Sequence, residues 1–422
     1  MVDERIKKSA EILVNHSIQA KKGENVKIYA GYDARPLAME VARLILKNGA
    51  YPLLDIKLPG YDYTFMKNAS NKVLRTLPEI SLFEIKHVDA VINIMTPVNT
   101  RELSRVNPDK IAMYRKAVEP IHKHVMNKKW VLFLYPTSAA AQDAGMSLEE
   151  YENFVFEACN LDWDKEARKM ENVRKVFQAG KKVRIIGKET DLTVDVQGRK
   201  FVADNGRNNV PGGEVFTSPR EKFTEGHIYY DFPAIFSGRQ VNDVRLTFKN
   251  GKVIKASAGE GDEFLKKMIK TDHDASYLGE LGIGLNPGIN TFTKQILFDE
   301  KIYGTVHLAL GQSYKECKGT TQSAIHWDMI KDLRKNSEIL VDNELIFKNG
   351  KYLMQIDALQ KRVEKKVSVI SKLLESTGAG VLGTIGTATL IPALGISLIP
   401  GIIIFGGSYF AIKTFLDINL KK

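Results

Sequence analysis

The spacing of apolar residues changes rhythm once along this chain, near residue 182, and that change limits the folds open to it. Before it, helical and strand patterns alternate. Ile6, Ala10, Leu13, Val14 and Ile18 fall at helical spacing, Lys22-Gly23-Glu24 interrupts them, and residues 25–30 read as a short strand. Pro36 opens a helix over residues 37–47 that Asn48-Gly49 closes. Residues 51–56, 89–94 and 129–134 read as further strands with helices between them. Parallel strands need long crossovers, so this alternation predicts a doubly wound, mostly parallel sheet. Ser147-Leu-Glu-Glu150 forms a capping box for a helix through Ala158, and a charged helix follows over about residues 164–179. No Gly-x-Gly-x-x-Gly follows the first strand, so a dinucleotide site is not supported.

From Lys182 the pattern shortens to alternating stretches at 183–186, 192–196, 200–202, 227–231 and 244–248, separated by glycine- and asparagine-rich turns. The expected class is α/β: an N-terminal doubly wound α/β domain at 1–181, then a β-rich α+β domain at 182–352. An amphipathic linker helix at 353–375 and a glycine-rich apolar helical tail at 376–422 complete the expected order. At 422 residues the chain is long for one hydrophobic core, which agrees with two domains.

The tail carries no charged residue from Ser376 to Ile412, more than the ~20 residues a membrane helix needs. Gly378, Gly380, Gly383 and Gly386 give the small-residue spacing of closely packed membrane helices, and Pro392 and Pro400 divide the run. Basic residues flank both ends, which suits a membrane hairpin with both ends cytoplasmic. A single pass over about 390–412 and a soluble hairpin buried between subunits are the competing forms.

The formal charge of +11 does not point to nucleic acid, because the Lys and Arg residues are spread among nearly as many acids, without an arginine-rich or aromatic-interleaved stretch. Cys159 and Cys317 are the sole cysteines and lie far apart, which excludes a disulfide framework and argues against a cysteine zinc site. The charged N-terminus lacks an apolar core, so no signal peptide is expected and the body of the protein is placed in the cytoplasm.

Chemistry-bearing residues gather in the second domain. Glu214 follows the turn-rich Asn209-Val-Pro-Gly-Gly213, and Glu280 sits within Gly279-Glu-Leu-Gly-Ile-Gly284. His307 occupies a strand pattern bounded by Gly304 and Gly311. His326 and Asp328, two apart, share one face if they lie on a strand and splay apart on a helix. Tyr314 follows His307 closely enough to reach the same pocket. Mixed carboxylate–imidazole sets of this kind suit zinc, cobalt or manganese, and two-metal hydrolases use them around a shared water. Each residue alone also has an ordinary structural explanation. His227 reads as a strand residue, His122, His124 and His273 as solvated groups, and Cys317 as packing.

The strings Asn209-Val-Pro-Gly-Gly-Glu-Val-Phe-Thr-Ser-Pro219, Gly279-Glu-Leu-Gly-Ile-Gly284, Gly304-Thr-Val-His-Leu-Ala-Leu-Gly-Gln-Ser-Tyr314 and Ile325-His-Trp-Asp-Met-Ile330 resemble the thermophilic metalloaminopeptidase family, the group of aminopeptidases T and S. The resemblance covers about residues 1–352 and does not reach the tail. It implies a homodimeric aminopeptidase acting on peptides with a free N-terminus. It also implies two divalent ions per chain, held by Glu214, Glu280, His307, His326 and Asp328. Glu280 or Glu214 would be the general base, and Tyr314 would assist near the ions. A specialised dipeptidase or amidohydrolase on the same site, and a membrane-tethered binding or scaffold protein without turnover, are the alternatives.

Overall fold

Residues 2–353 are described in the computed structural model. The linker helix expected beyond residue 353 and the apolar tail lie outside the described residues. Among the described residues, no helix is long and apolar enough to cross a membrane.

The N-terminal half forms the expected parallel sheet. Strands β1 (Asn25–Gly31), β2 (Tyr51–Lys57), β3 (Ala90–Met95) and β4 (Lys129–Leu134) lie in the order β2-β1-β3-β4, all parallel. The order reverses at β1, the mark of a doubly wound sheet. Helix α1 (Glu4–Glu11) continues into a π-helical turn through Ser17, and both bury the apolar stripe beginning at Ile6 and Ala10. Helix α2 (Arg35–Lys47) carries Pro36 in its first turn, where a missing N–H is harmless. It buries Leu37, Val41, Leu44 and Ile45, one face of a 3.6-residue repeat. Central β1 buries Val26, Ile28 and Ala30, whereas edge strand β2 leaves Tyr51 and Leu54 exposed. Helix α3 (Leu148–Cys159) has the capping box read from its sequence: Glu150 N donates to Ser147 Oγ at 3.2 Å and Ser147 N donates to Glu150 Oε2 at 2.8 Å. Helix α4 (Trp163–Ala179) follows.

Beyond α4 the described residues build two large antiparallel sheets and a two-stranded ribbon of 234–236 with 239–241. The larger has eight strands, running in spatial order through residues 252–257, 245–249, 225–229, 190–195, 182–187, 338–341, 344–348 and 351–352. The smaller contains the candidate site. Its strands come from β5 (Val202–Asp204), β7 (Glu214–Thr217), β8 (Leu278–Gly284), β9 (Thr305–Gly311) and β10 (His326–Asp332), in the order β10-β9-β8-β7-β5. Between β5 and β7 lies β6 (Asn209–Val210), which adds a fifth parallel strand to the N-terminal sheet beside β4.

Two local expectations shift. The strand expected at 200–202 begins at Val202, because Phe201 N is taken by Gln178 Oε1 at 2.9 Å and Lys200 N by the Cys317 carbonyl at 3.3 Å, which leaves neither free for the ladder. The run 209–213, which reads as a turn, is a strand followed by the Pro-Gly-Gly connection to β7. Glu214 is therefore the first residue of a strand and not the edge of a loop.

This connection is clamped by Asn286. The residue is fully buried, and its Nδ2 donates to the Ala158 carbonyl at 3.1 Å and to the Gly212 carbonyl at 2.9 Å. Its Oδ1 accepts from Gly288 N at 2.8 Å. One amide thus ties the end of α3, the approach to Glu214 and the segment after β8. Asn286→Ala orphans buried backbone groups, each costing about 1–3 kcal/mol. Urea denaturation should show a midpoint lowered by a loss of at least about 2 kcal/mol, and an unchanged midpoint would rule out the clamp.

Candidate metal centre

The alternation of strand side chains puts the candidate residues on one face of the smaller sheet. Gly284 pairs with Glu214, Gly282 with His307, Ala309 with Asp328, and Gly311 with His326. His326 and Asp328 lie at spacing two on β10, so they share that face as expected. Glu280 shares it by plain alternation, two residues before Gly282, and the register between β8 and β9 slips just ahead of it, between Leu278 and Glu280. Gly279, at the slip, has no room for a side chain, since a Cβ there would lie 2.2 Å from the Gln312 carbonyl oxygen.

The six sequence-derived residues converge. His307 Nε2 lies 3.3 Å from Glu214 Oε2 and 3.5 Å from Glu280 Oε1. His326 Nε2 lies 3.0 Å from Glu280 Oε2 and 3.5 Å from Asp328 Oδ1. Tyr314 Oη is 3.4 Å from His326 Nε2 at the open rim, and its ring meets Phe216 edge-on at 5.4 Å. His227, by contrast, is exposed on its strand, and His273 is on the surface beside Asp274.

Three further residues join the cluster. Glu300 brings a carboxylate oxygen within ligand-sharing distance of Glu214 and His307. Lys301, wholly buried, pairs with Glu300 and lies 3.3 Å from Glu214 Oε1 and 3.9 Å from Asp204 Oδ2. Sequence reasoning passes over Glu300 and Lys301 because Asp-Glu-Lys at the end of a short helix looks like a solvated turn. The one available signal is that this charged triplet sits between the apolar Leu297-Phe298 and Ile302, just ahead of the His307 strand.

The imidazoles are oriented from behind. His307 Nδ1 lies 2.9 Å from the Glu300 carbonyl oxygen, and His326 Nδ1 lies 2.8 Å from that of Gln312. A carbonyl only accepts, so each Nδ1 is the protonated nitrogen and each Nε2 faces the carboxylates. Burial disfavours charge on His307, but the Glu280 and Glu214 carboxylates outweigh it and raise its pKa to about 10. Burial likewise opposes ionisation of Glu280, yet the two imidazoles hold it down at about 2. Burial pushes Glu214 and Glu300 upward despite Lys301. The Glu280 carboxylate, followed by burial, raises the Tyr314 phenol, which stays a hydrogen-bond donor.

The donors present suit a divalent cation. Glu214 Oε2, His307 Nε2 and Asp328 Oδ1 are buried and lack a hydrogen-bond partner, an expensive condition unless something else satisfies them. Glu280, His307 and Asp328 form a second set whose ligand atoms lie within 4.8 Å of one another, beside the set of Glu214, Glu300 and His307. The space they face is kept open by Gly282. A Cβ at that position would lie 2.0 Å from both Cε1 and Nε2 of His307, so the ring rests directly over the glycine.

Residues 2–352 match the family described as thermophilic metalloprotease (M29). The chain belongs to this family. Among relatives in it, Aminopeptidase T of Thermus aquaticus is 26% identical over 362 residues, covering 74% of this chain and 86% of that protein. Aminopeptidase 2 of Geobacillus stearothermophilus is 24% identical over 410 residues, covering 84% of this chain and 99% of that protein. The solved structure of wild-type AmpT from Thermus thermophilus shares the fold, with a TM-score of 0.74 at 19% identity over 83% of this chain and 99% of that one. So does 2,5-dihydroxypyridine dioxygenase from Pseudomonas putida KT2440, with a TM-score of 0.56 at 14% identity over 83% and 98% of the two chains.

For this metalloprotease, Gly282→Ala drives the His307 ring off its seat. The purified variant should carry markedly less divalent metal than the wild type by elemental analysis, with unchanged far-UV circular dichroism. Equal metal content would show that His307 Nε2 is not at the ion.

Proposed function

We propose that this chain is a two-metal aminopeptidase. Glu214, Glu280, His307, His326 and Asp328, with Glu300 added to them, would hold two divalent ions of the zinc, cobalt or manganese class. The observation that carries this is the convergence of three buried, unpartnered ligand atoms (Glu214 Oε2, His307 Nε2 and Asp328 Oδ1) from three different strands onto one space. Charge supports the number of ions. With both imidazoles neutral, as ligation requires, ionised Glu214, Glu280, Glu300, Asp328 and Asp204 bring five negative charges against one positive on Lys301, and the imbalance of four equals two divalent cations. The substrate class follows from the relatives, which are named aminopeptidases.

When bound, the ions supply electrophilic polarisation of the scissile carbonyl and a water acidic enough to attack it near neutral pH. The residues of the chain do the rest. Both oxygens of Glu280 are engaged, Oε1 towards His307 and Oε2 towards His326, so this carboxylate spans the centre. A carboxylate of the centre, Glu280 or Glu214, would take the proton from the attacking water and return it to the departing amine. The backbone carbonyls of Glu300 and Gln312 keep the imidazoles in one tautomer throughout. Tyr314, at the rim and protonated, donates to the tetrahedral oxyanion.

Chelation of the purified full chain should abolish release of p-nitroaniline from leucyl-p-nitroanilide, and added cobalt or zinc should restore it. Activity that survives complete removal of metal, or that no divalent ion restores, would sink the proposal. Tyr314→Phe removes one oxyanion donor, and steady-state kinetics should show kcat lower by about 10²-fold with little change in KM. A loss confined to KM would place Tyr314 in substrate binding instead.

A further inference from the structure

Lys301 stands behind the acid cluster, and no step of the proposed reaction uses it. Its side chain is wholly buried. The ammonium donates to Glu300 Oε1 and lies 3.3 Å from Glu214 Oε1 and 3.9 Å from Asp204 Oδ2, so three carboxylates surround its three protons. The root of the side chain is fixed as well. Lys301 N donates to the Phe298 carbonyl at 2.9 Å, and the Lys301 carbonyl accepts from Asn286 N at 3.1 Å. Burying an ammonium is costly unless carboxylates enclose it, and this one is enclosed entirely by acids of the site or next to it.

The oxygens it takes are informative. On Glu214, Oε1 faces Lys301 while Oε2 faces His307 Nε2 at 3.3 Å. On Glu300, Oε1 is again the oxygen held by the ammonium. The final torsion of a glutamate is broad, so a free carboxylate would not hold one oxygen forward.

We infer that Lys301 is a positioning residue for the metal centre, pinning Oε1 of Glu214 and of Glu300 so that each presents its other oxygen to an ion shared with His307. The inference rests on the metal-centre assignment above. It differs from a simple counter-charge role in the sign of its effect on ion binding. Removing a bare counter-charge leaves the cluster more negative and tightens its hold on a divalent ion. Removing the group that orients a ligand weakens that hold, typically by about 10–100-fold.

The test compares the full-length wild type with Lys301→Met, Lys301→Arg and the double variant Asp204→Asn/Lys301→Met. The double variant loses one charge of each sign, so the net charge of the cluster is kept, and it carries the test if Lys301→Met alone does not fold. Metal-free proteins are titrated calorimetrically with zinc chloride, and thermal melting of the metal-free forms reports folding. The expected result is a loss of about 10–100-fold in affinity at one of two sites in Lys301→Met and in the double variant, with partial recovery in Lys301→Arg. Wild-type or tighter zinc binding by the folded double variant overturns the positioning role. A wild type that binds no zinc overturns the metal-centre assignment itself and this inference with it, and the wild-type titration distinguishes that failure from the other.

Discussion

A histidine with no exposed surface faces two carboxylates through a nitrogen that has no hydrogen-bond partner, and much of the surrounding structure serves that contact. His307 is tied by Nδ1 to the Glu300 carbonyl, which leaves Nε2 turned toward Glu214 and Glu280. Without a cation between them these groups hold protons against their ordinary tendencies: His307 is raised to about 10 by its acidic neighbours, and Glu214 is pushed up by burial. Polar atoms arranged in this way are costly in an interior and do little for stability. Their cost is understandable as that of a preformed ligand cage.

The fold provides for that cage through what it omits as much as through what it places. Gly282 supplies a flat floor under the imidazole, and Gly279 occupies the register slip just before Glu280, where a side chain would meet the Gln312 carbonyl. Both are strand positions where glycine is otherwise unfavourable, since it gives no packing and loses the most conformational freedom. The parallel sheet contributes from a distance. Its last strand, β6, delivers the chain through Pro-Gly-Gly directly to Glu214, and Asn286 locks that delivery to the end of α3. The two halves of the described chain are therefore joined where the site begins.

A metallopeptidase relative and a dioxygenase share this architecture at low identity, so the fold by itself does not specify the reaction. What distinguishes a site on such a scaffold is the donor set and its charge. Here that set is rich in carboxylates, with a single buried ammonium partly offsetting them.

Much of this was legible in the sequence because it depends on local periodicity. Helical spacing in α2, the capping box of α3 and the largely apolar stretches of β1, β3 and β4 each report a preference that a few neighbouring residues can impose. The period of two on a strand likewise made His326 and Asp328 a same-face pair, and the motif strings carried Glu214, Glu280, His307 and Tyr314. What periodicity cannot convey is which strands become neighbours, since pairing across long separations is decided by the packing of whole sheets. Only the tertiary structure set Gly282 beneath His307, made a strand of Asn209–Val210, and drew Glu300, Lys301 and Asp204 into the interior. A lysine in Asp-Glu-Lys reads as a surface residue, because a charge is almost never buried alone. It is buried here because three acids, two of them far away in sequence, close around it.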